Sequence, residues 1–268
     1  MKYVLVTGAC GGMGKSIVSK LASAGYGVFA LDKVACEQEE NVFPIQADLT
    51  DENSVKSALE EVKERTDSLY AILHFAGVYV LNSLVEIEDK NFCKAFDINL
   101  FGVYRVNKIF LPMLKNGSRI VITTSELAPL DPLPFTGVYA ITKSALDKYA
   151  YSLRMELQLL GIKVVVMRPG AVDTGMIGVS TKQLDDFCQN TKIYTCNATR
   201  FKNIVERVEA RKILPKKIAD KTLKILAKSN PKFVYKINRN PLLLMLNVLP
   251  KRMQTAIIKG VLKNKKEN

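Results

Sequence analysis

Tyr3-Val4-Leu5-Val6-Thr7-Gly8-Ala9-Cys10-Gly11-Gly12-Met13-Gly14 decides how the rest of the chain is read. The apolar run has the composition of a buried strand, and it breaks into a loop dense in glycine. From Lys15 to Ala24, Ile17, Val18 and Leu21 fall on one helical face. Strand, glycine turn and helix N-terminus together suit a pyrophosphate. Glycine lets the backbone come close, and the first turn of the helix offers unpaired N–H groups and the positive end of its dipole. The same Gly-x-x-x-Gly-x-Gly spacing would also serve a plain βα turn that needs positive φ. A second apolar run, Gly27-Val28-Phe29-Ala30-Leu31, ends in Asp32 at about the distance where an acid meets an adenosine ribose. That acid favours a dinucleotide site.

Outward from this unit, strand and helix patterns alternate. Asn41 to Gln46 reads as a third strand and ends in Ala47-Asp48-Leu49-Thr50; Thr50 or Asp51 can cap a helix with Val55, Ala58, Leu59 and Val62 on one face. Leu69 to Phe75 is a fourth strand, closing in Ala76-Gly77. Asp89 to Lys115 reads as one long helix, stopped by Asn116-Gly117, and Ser118 to Thr124 as a fifth strand. This alternation predicts an α/β fold, a doubly wound parallel sheet of Rossmann type. A single domain with a C-terminal helical extension is expected, since 268 residues are ordinary for one α/β domain.

Ser125 stands at the C-terminal end of the fifth strand, where open α/β sheets place their ligands. The loop Glu126–Gly137 carries three prolines with Leu127, Leu130, Leu133 and Phe135, and reads as a greasy substrate wall or a rigid connector. Val138-Tyr139-Ala140-Ile141-Thr142-Lys143 then opens a periodic helix that runs to Leu160. Tyr139 and Lys143, four residues apart, share a helical face.

With these residues the chain resembles the classical short-chain dehydrogenase/reductase family, motif by motif, over roughly residues 1 to 175. Thr7-Gly8-Ala9-Cys10-Gly11-Gly12-Met13-Gly14 looks like the family's cofactor loop. Asp48-Leu49 is similar to its adenine-contacting pair. Asn99, Ser125, Tyr139 and Lys143 match its active-site residues, and Arg168 to Thr174 matches the segment after the sixth strand, Lys163 to Met167. The resemblance implies catalysis by Asn99, Ser125, Tyr139 and Lys143. It implies cofactor contacts from Gly8, Gly12, Met13, Gly14, Asp32, Asp48, Leu49, Ala76, Gly77, Tyr139, Lys143, Pro169, Val172 and Thr174.

It also implies a cofactor-binding and catalytic core over 1–175, a substrate flap over 176–215, and a homo-oligomer, dimer or tetramer; the residues over 216–268 themselves read as a basic amphipathic segment. Three departures stand out: His74-Phe75-Ala76-Gly77 replaces the usual Asn-Asn-Ala-Gly, Ser125 lies fourteen residues before Tyr139, and position 11 is Gly where members that use NADP often carry a base. Thr124 is the fallback hydroxyl, and His74, the one histidine, reads as a buried structural residue.

The expected chemistry follows from the residue types. A free tyrosine titrates at about 10, and Lys143 on the same face, together with the positive nicotinamide ring, would lower Tyr139 towards the working range. Ser125 would donate to the oxygen that gains charge. By family analogy, Asn99 would position a water and Thr174 would hold the carboxamide. Asp32 would accept from the 2′-hydroxyl of NAD and repel a 2′-phosphate, so NAD is preferred to NADP, although Lys33 could soften that repulsion. The substrate expected is a lipophilic secondary alcohol or ketone, with a hydroxysteroid or bile acid leading and a retinoid or fatty-acyl carbonyl behind. The rival class is a dinucleotide sensor, which would be free to lose Ser125, Tyr139 and Lys143.

Composition narrows the setting. A hydrophobic share of 48% and a charged share of 24% are ordinary for a soluble globular protein. Five cysteines without CxxC or zinc-ligand spacing predict free thiols, a reducing compartment and no metal. An immediate first strand predicts no signal peptide and a cytoplasmic protein. The net charge of +13 is uneven: from Arg200 onward nineteen Lys/Arg face four acids. Pro241 to Pro250 and Lys251 to Lys263 alternate apolar runs with these bases. Packing over the substrate entrance is the first reading of this tail, peripheral contact with an anionic membrane the second, and steering of an amphipathic anion the third. Nucleic-acid binding is not expected, for want of aromatic platforms and recognition motifs.

Overall fold

The computed structural model describes residues 1–209 and 211–263; Ala210 of the expected flap and residues 264–268 of the basic segment lie outside them. Seven strands are ordered β3-β2-β1-β4-β5-β6-β7, all parallel. They are β1 (Lys2–Thr7), β2 (Tyr26–Asp32), β3 (Val42–Gln46), β4 (Leu69–His74), β5 (Leu114–Thr123), β6 (Lys163–Pro169) and β7 (Val234–Ile237). Because strand side chains alternate, Val4 and Val6 enter one apolar layer and Leu5 the other. Helices α1 (Gly12–Ala22) and α8 (Pro215–Leu226) close the first layer through Ile17, Leu21, Ile218 and Ile225. Helices α2 (Glu52–Lys63), α4 (Gly102–Phe110) and α5 (Gly137–Leu157) close the second through Val55, Val106, Phe110 and Leu146. Burial of each such side chain contributes about 1.5–3 kcal/mol, which is why the strands are apolar runs and not alternating ones.

The strand order reverses between β1 and β4, and a crevice opens there at the C-terminal ends of the strands. A third apolar cluster lies outside the two layers. It joins Leu81 and Phe135 to Phe187 and Phe201, which belong to α6 (Gly175–Asn190) and α7 (Thr195–Glu209). The segment holding these two helices returns to the core through a parallel bridge between Val172 and Ile213. The chain then runs through α8 and β7 into α9 (Pro241–Val248) and α10 (Lys251–Leu262). Among the described residues no helix is long and apolar enough to cross a membrane.

Three expectations are corrected. The long helix Asp89–Lys115 is instead α3 (Asp89–Phe96), a π-helical turn Asp97–Phe101, α4 and a short turn Leu111–Met113, and β5 already begins at Leu114. A π turn admits an extra residue, and this one carries Asn99 into the protein interior. Second, Asn116-Gly117 does not stop a helix. It forms an irregularity inside β5, where Gly117 takes φ +90 and the pairing with β4 shifts register. Third, Cys10 and Cys36 are not free thiols but a disulfide, with Cα atoms 5.5 Å apart. Parallel pairing of β1 with β2 puts the loops after both strands at the same end of the sheet. A sequence separation of 26 gives no hint of that meeting.

His74, at the end of β4, is buried. Its Nε2 lies 2.8 Å from Oδ1 of Asn107, whose Nδ2 in turn donates to the Tyr149 hydroxyl. Burial first, then the charge of Lys143, pushes the imidazole down to about 4 against the contact with Asn107. The folded state therefore binds fewer protons than the unfolded state between about pH 6.5 and 4, and stability is lost as pH falls through that window. About 3 kcal/mol should disappear across it, and His74→Leu should flatten this part of the curve in urea unfolding at stepped pH.

Candidate active site

The glycine loop after β1 and the loops after β2, β3 and β4 surround a cleft of about 1100 Å³. Its floor needs glycine for a geometric reason. Gly8 has φ +69, and a Cβ there would sit 2.4 Å from the Ala76 amide nitrogen. A Cβ on Gly12 would meet the Thr174 side chain at 2.7 Å. Helix α1 begins at Gly12 with no side chain capping its first amides, so those N–H groups face the cleft free to take an anion. Met13, Gly14, Asp48, Leu49, Ala76 and Gly77 complete the lining. A cradle of this shape and donor set fits a nicotinamide dinucleotide, which when bound supplies or accepts the hydride.

Asp32 lines the same cleft, one oxygen accepting from the Cys10 N–H at 2.9 Å and the other from Val34 at 3.3 Å. Lys33 reaches the other way: its Nζ lies 2.6 Å from the Asp48 carboxylate, and this contact holds Asp48 down at about 2. The lysine expected to soften Asp32 is thus paired elsewhere.

Ser125, Tyr139 and Lys143 come together at the mouth of the crevice. Ser125 is buried, its Oγ accepts from the Leu127 N–H at 3.1 Å, and its hydroxyl lies near enough to that of Tyr139 to lower it. Lys143 is buried, donates to the Thr123 carbonyl at 3.2 Å, and sets its Nζ 5.8 Å from the Tyr139 ring centre. Thr124 is committed elsewhere, to the Asp147 carboxylate at 3.3 Å, so the Ser125 hydroxyl is the one that meets Tyr139. Asp147 also receives both Nε and Nη2 of Arg168, at 2.9 and 2.5 Å, which pins helix α5 to the end of β6. Asn99 spends its amide on both backbone groups of Val78 and on Thr142. It braces the loop beside Gly77, where a Cβ would meet Asn99 Oδ1 at 3.1 Å and Lys143 Nζ at 3.4 Å. Pro169 ends β6, and Val172 and Thr174 follow it along the crevice.

Enclosure dominates the electrostatics of Tyr139 and Lys143 within the chain itself. Burial, opposed by the Ser125 hydroxyl and reinforced by the charge of Glu126, raises Tyr139 to about 12. Burial lowers Lys143 to about 8. Among the groups that act on Tyr139 within the chain, Ser125 alone lowers it, and burial outweighs that effect. A tyrosine held protonated suits proton donation to a ketone oxygen.

Two residues escaped the sequence reading. Glu126 follows Ser125 directly and lines the crevice, with Oε2 accepting from the Asn240 N–H at 2.6 Å; burial raises its carboxyl above the usual range. Its place at a strand end was the available signal. Tyr79 stacks edge-on against Tyr139 with ring centres 4.5 Å apart, and no pattern in the sequence marks it.

Ser125, Tyr139 and Lys143 line a second cavity of about 600 Å³. Leu133 and Pro134 of the proline loop, Phe201 and Ile204 of α7, and Leu243, Leu246 and Ile258 of α9 and α10 form apolar walls. It shares Met13, Phe75, Ala76, Gly77, Tyr79 and Thr174 with the dinucleotide cleft, so the two spaces are continuous.

A short chain dehydrogenase family model matches residues 2–185, and the chain belongs to that family. It is similar to a 3-ketodihydrosphingosine reductase of Bacteroides thetaiotaomicron, 26% identical over 88% of this chain and 87% of that protein. It is 34% identical to the estradiol 17-beta-dehydrogenase 2 of Mus musculus, over 66% of this chain and 50% of that one. With an NADPH-dependent 1-acyldihydroxyacetone phosphate reductase of Schizosaccharomyces pombe it shares 30% identity, over 65% and 60% of the two chains. The chain thus spans only half to three-fifths of the last two proteins. The protein is an oxidoreductase of a family that uses nicotinamide dinucleotides.

If Tyr139 is the proton donor, Tyr139→Phe keeps the ring and loses only the hydroxyl. Turnover should fall by about 10²–10⁴-fold with NADH affinity unchanged by fluorescence titration. Lys143→Ala should damage both, and a Tyr139→Phe enzyme with most of its rate would refute the assignment.

Proposed function

We propose that the protein is an NAD(H)-dependent oxidoreductase that interconverts a lipophilic secondary alcohol and its ketone. One observation carries the reading: Ser125, Tyr139 and Lys143 stand where the dinucleotide cleft opens into an apolar cavity. In the reducing direction the Tyr139 O–H gives its proton to the carbonyl oxygen as hydride reaches the carbon. Ser125 donates a hydrogen bond to that oxygen, and Lys143 would hold the ribose hydroxyls of the bound cofactor and pass a proton, drawn from solvent through a water at Asn99, back to the Tyr139 phenolate. Residues 1–175 would act as the catalytic core, 176–215 as a flap and 216–268 as a basic wall. Apolar side chains exposed on α4 and α5, among them Tyr104, Tyr151 and Met155, favour a homo-oligomer. A hydroxysteroid or bile acid is one candidate substrate, in keeping with the estradiol dehydrogenase. A cytoplasmic setting is part of the same proposal.

NAD is favoured over NADP because Asp32 faces the ribose end of the cleft while Lys33 is tied to Asp48. Asp32→Ala should raise the ratio of kcat/KM for NADPH to that for NADH by about tenfold or more. An unchanged ratio moves the determinant elsewhere. Absorbance of NADH over a panel of steroids, bile acids, retinoids and simple ketones tests the activity itself. Tight NADH binding with no turnover of any class would favour the sensor instead.

A second reading of the substrate is a long-chain ketone with a neighbouring ammonium group, the chemistry named in the 3-ketodihydrosphingosine reductase. Glu126 favours it. Glu126 and Lys143 are the charged residues lining the cavity, and among the described residues no base forms an ion pair with Glu126. Glu126→Gln keeps the acceptor for Asn240 and removes the charge. KM for an amino ketone should rise about tenfold while KM for the ketone without the amine holds. Equal changes for both would reduce Glu126 to a support for the tail.

A further inference from the structure

The tail that walls the cavity has a second face. On α9, Leu243 and Leu246 turn to the cavity, while Met245 and Val248 are 68% and 85% exposed. Leu242 is exposed beside them, and the helix carries no charged side chain. On α10, Met253, Ile257 and Val261 form an exposed row at helical spacing, and Gln254 and Leu262 face inward. By the same spacing Arg252, Lys259 and Lys263 make a second exposed row alongside the apolar one. No acid occurs between Asp220 and Glu267, a stretch that holds twelve Lys/Arg.

An apolar ridge flanked by bases on two adjacent helices is the pattern of a helix lying in a bilayer interface, where bases meet anionic headgroups. A second copy of the chain is a poor occupant, since it would set one basic row against another. The same two helices form the cavity wall, and Leu242, Ile257 and Val261 belong to both the wall and the exposed face. We propose that the α9–α10 pair docks on an anionic lipid surface and admits the substrate to the cavity directly from the bilayer. This rests on the reading of the cavity as the site of a lipophilic ketone. Docking requires shallow insertion only, by about 5–10 Å, with the catalytic sheet left in water.

The full-length protein would be sedimented with vesicles of phosphatidylcholine alone or mixed with phosphatidylglycerol. Met245 and Val248 do not line the cavity, so Met245→Glu/Val248→Glu spares it. Wild type should pellet with the mixed vesicles, at least tenfold more than with neutral ones, and leave them as salt rises. Met245→Glu/Val248→Glu should remain in the supernatant, and Arg252→Glu/Lys259→Glu should lose the preference for anionic lipid. With a ketone dissolved in the vesicles the first variant should turn over about tenfold more slowly, and with a short water-soluble ketone it should match wild type. Sedimentation of that variant like wild type overturns the proposal. So does a change in its oligomeric mass by light scattering, which would make the ridge a contact between copies. Failure of wild type to turn over any ketone while it still pellets would sink the catalytic reading and leave the docking intact.

Discussion

A parallel sheet buried on both faces is the constraint from which the remaining arrangement follows. Val4 and Leu5 are both at zero exposure, yet they point into opposite layers, so neither face of β1 can host polar chemistry. Polar function is driven to the strand ends, and parallel pairing puts all the C-terminal ends at one edge. Thr7-Gly8, Asp32, Asp48, Ala76-Gly77, Ser125 and Pro169 are successive exits from that edge. Residues more than a hundred positions apart meet there because the interior has no room for them.

The legible parts of the chain are those with local causes. Periodicity exposed the strands and most helices, and the glycine loop marked the turn after β1, though not the close packing of Gly8 on the Ala76 backbone. The π turn at Asp97–Phe101 was not legible, because its cause is the buried amide of Asn99 bonding to Val78 twenty-one residues away. The Cys10–Cys36 bridge was hidden for a similar reason: strand pairing, not spacing, brings the two together. Among the candidate site residues, Ser125, Tyr139 and Lys143 line one cavity, as their motif order suggested. Asn99 was legible in position and not in its bonding.

Burial is the largest influence on the protonation of Tyr139 and Lys143, and a sequence carries no measure of it. Lys143 and Tyr139 stand four residues apart on α5, and that spacing suggests a cation easing a proton off a phenol. Enclosure acts on both groups in the sense that favours the neutral form, raising the tyrosine and lowering the lysine. Glu126 adds to the first effect. The resting pair therefore leans towards a neutral phenol beside a lysine that exchanges protons near neutrality.

The bridge between Val172 and Ile213 closes off the segment that carries α6 and α7. The Asp173 N–H donates to the Ile213 carbonyl, and the Ile213 N–H donates back to Ala171. The forty residues from 173 to 212 thus leave the core and return to it at one point, like a graft on a single stem. A closed excursion of this kind costs little more when lengthened, since loop entropy grows only with the logarithm of length. The walls of the cavity can then diverge in length and shape while β6, the Arg168–Asp147 clamp and helix α5 keep their geometry. A single hydride-transfer centre could in this way be refitted to many substrate shapes.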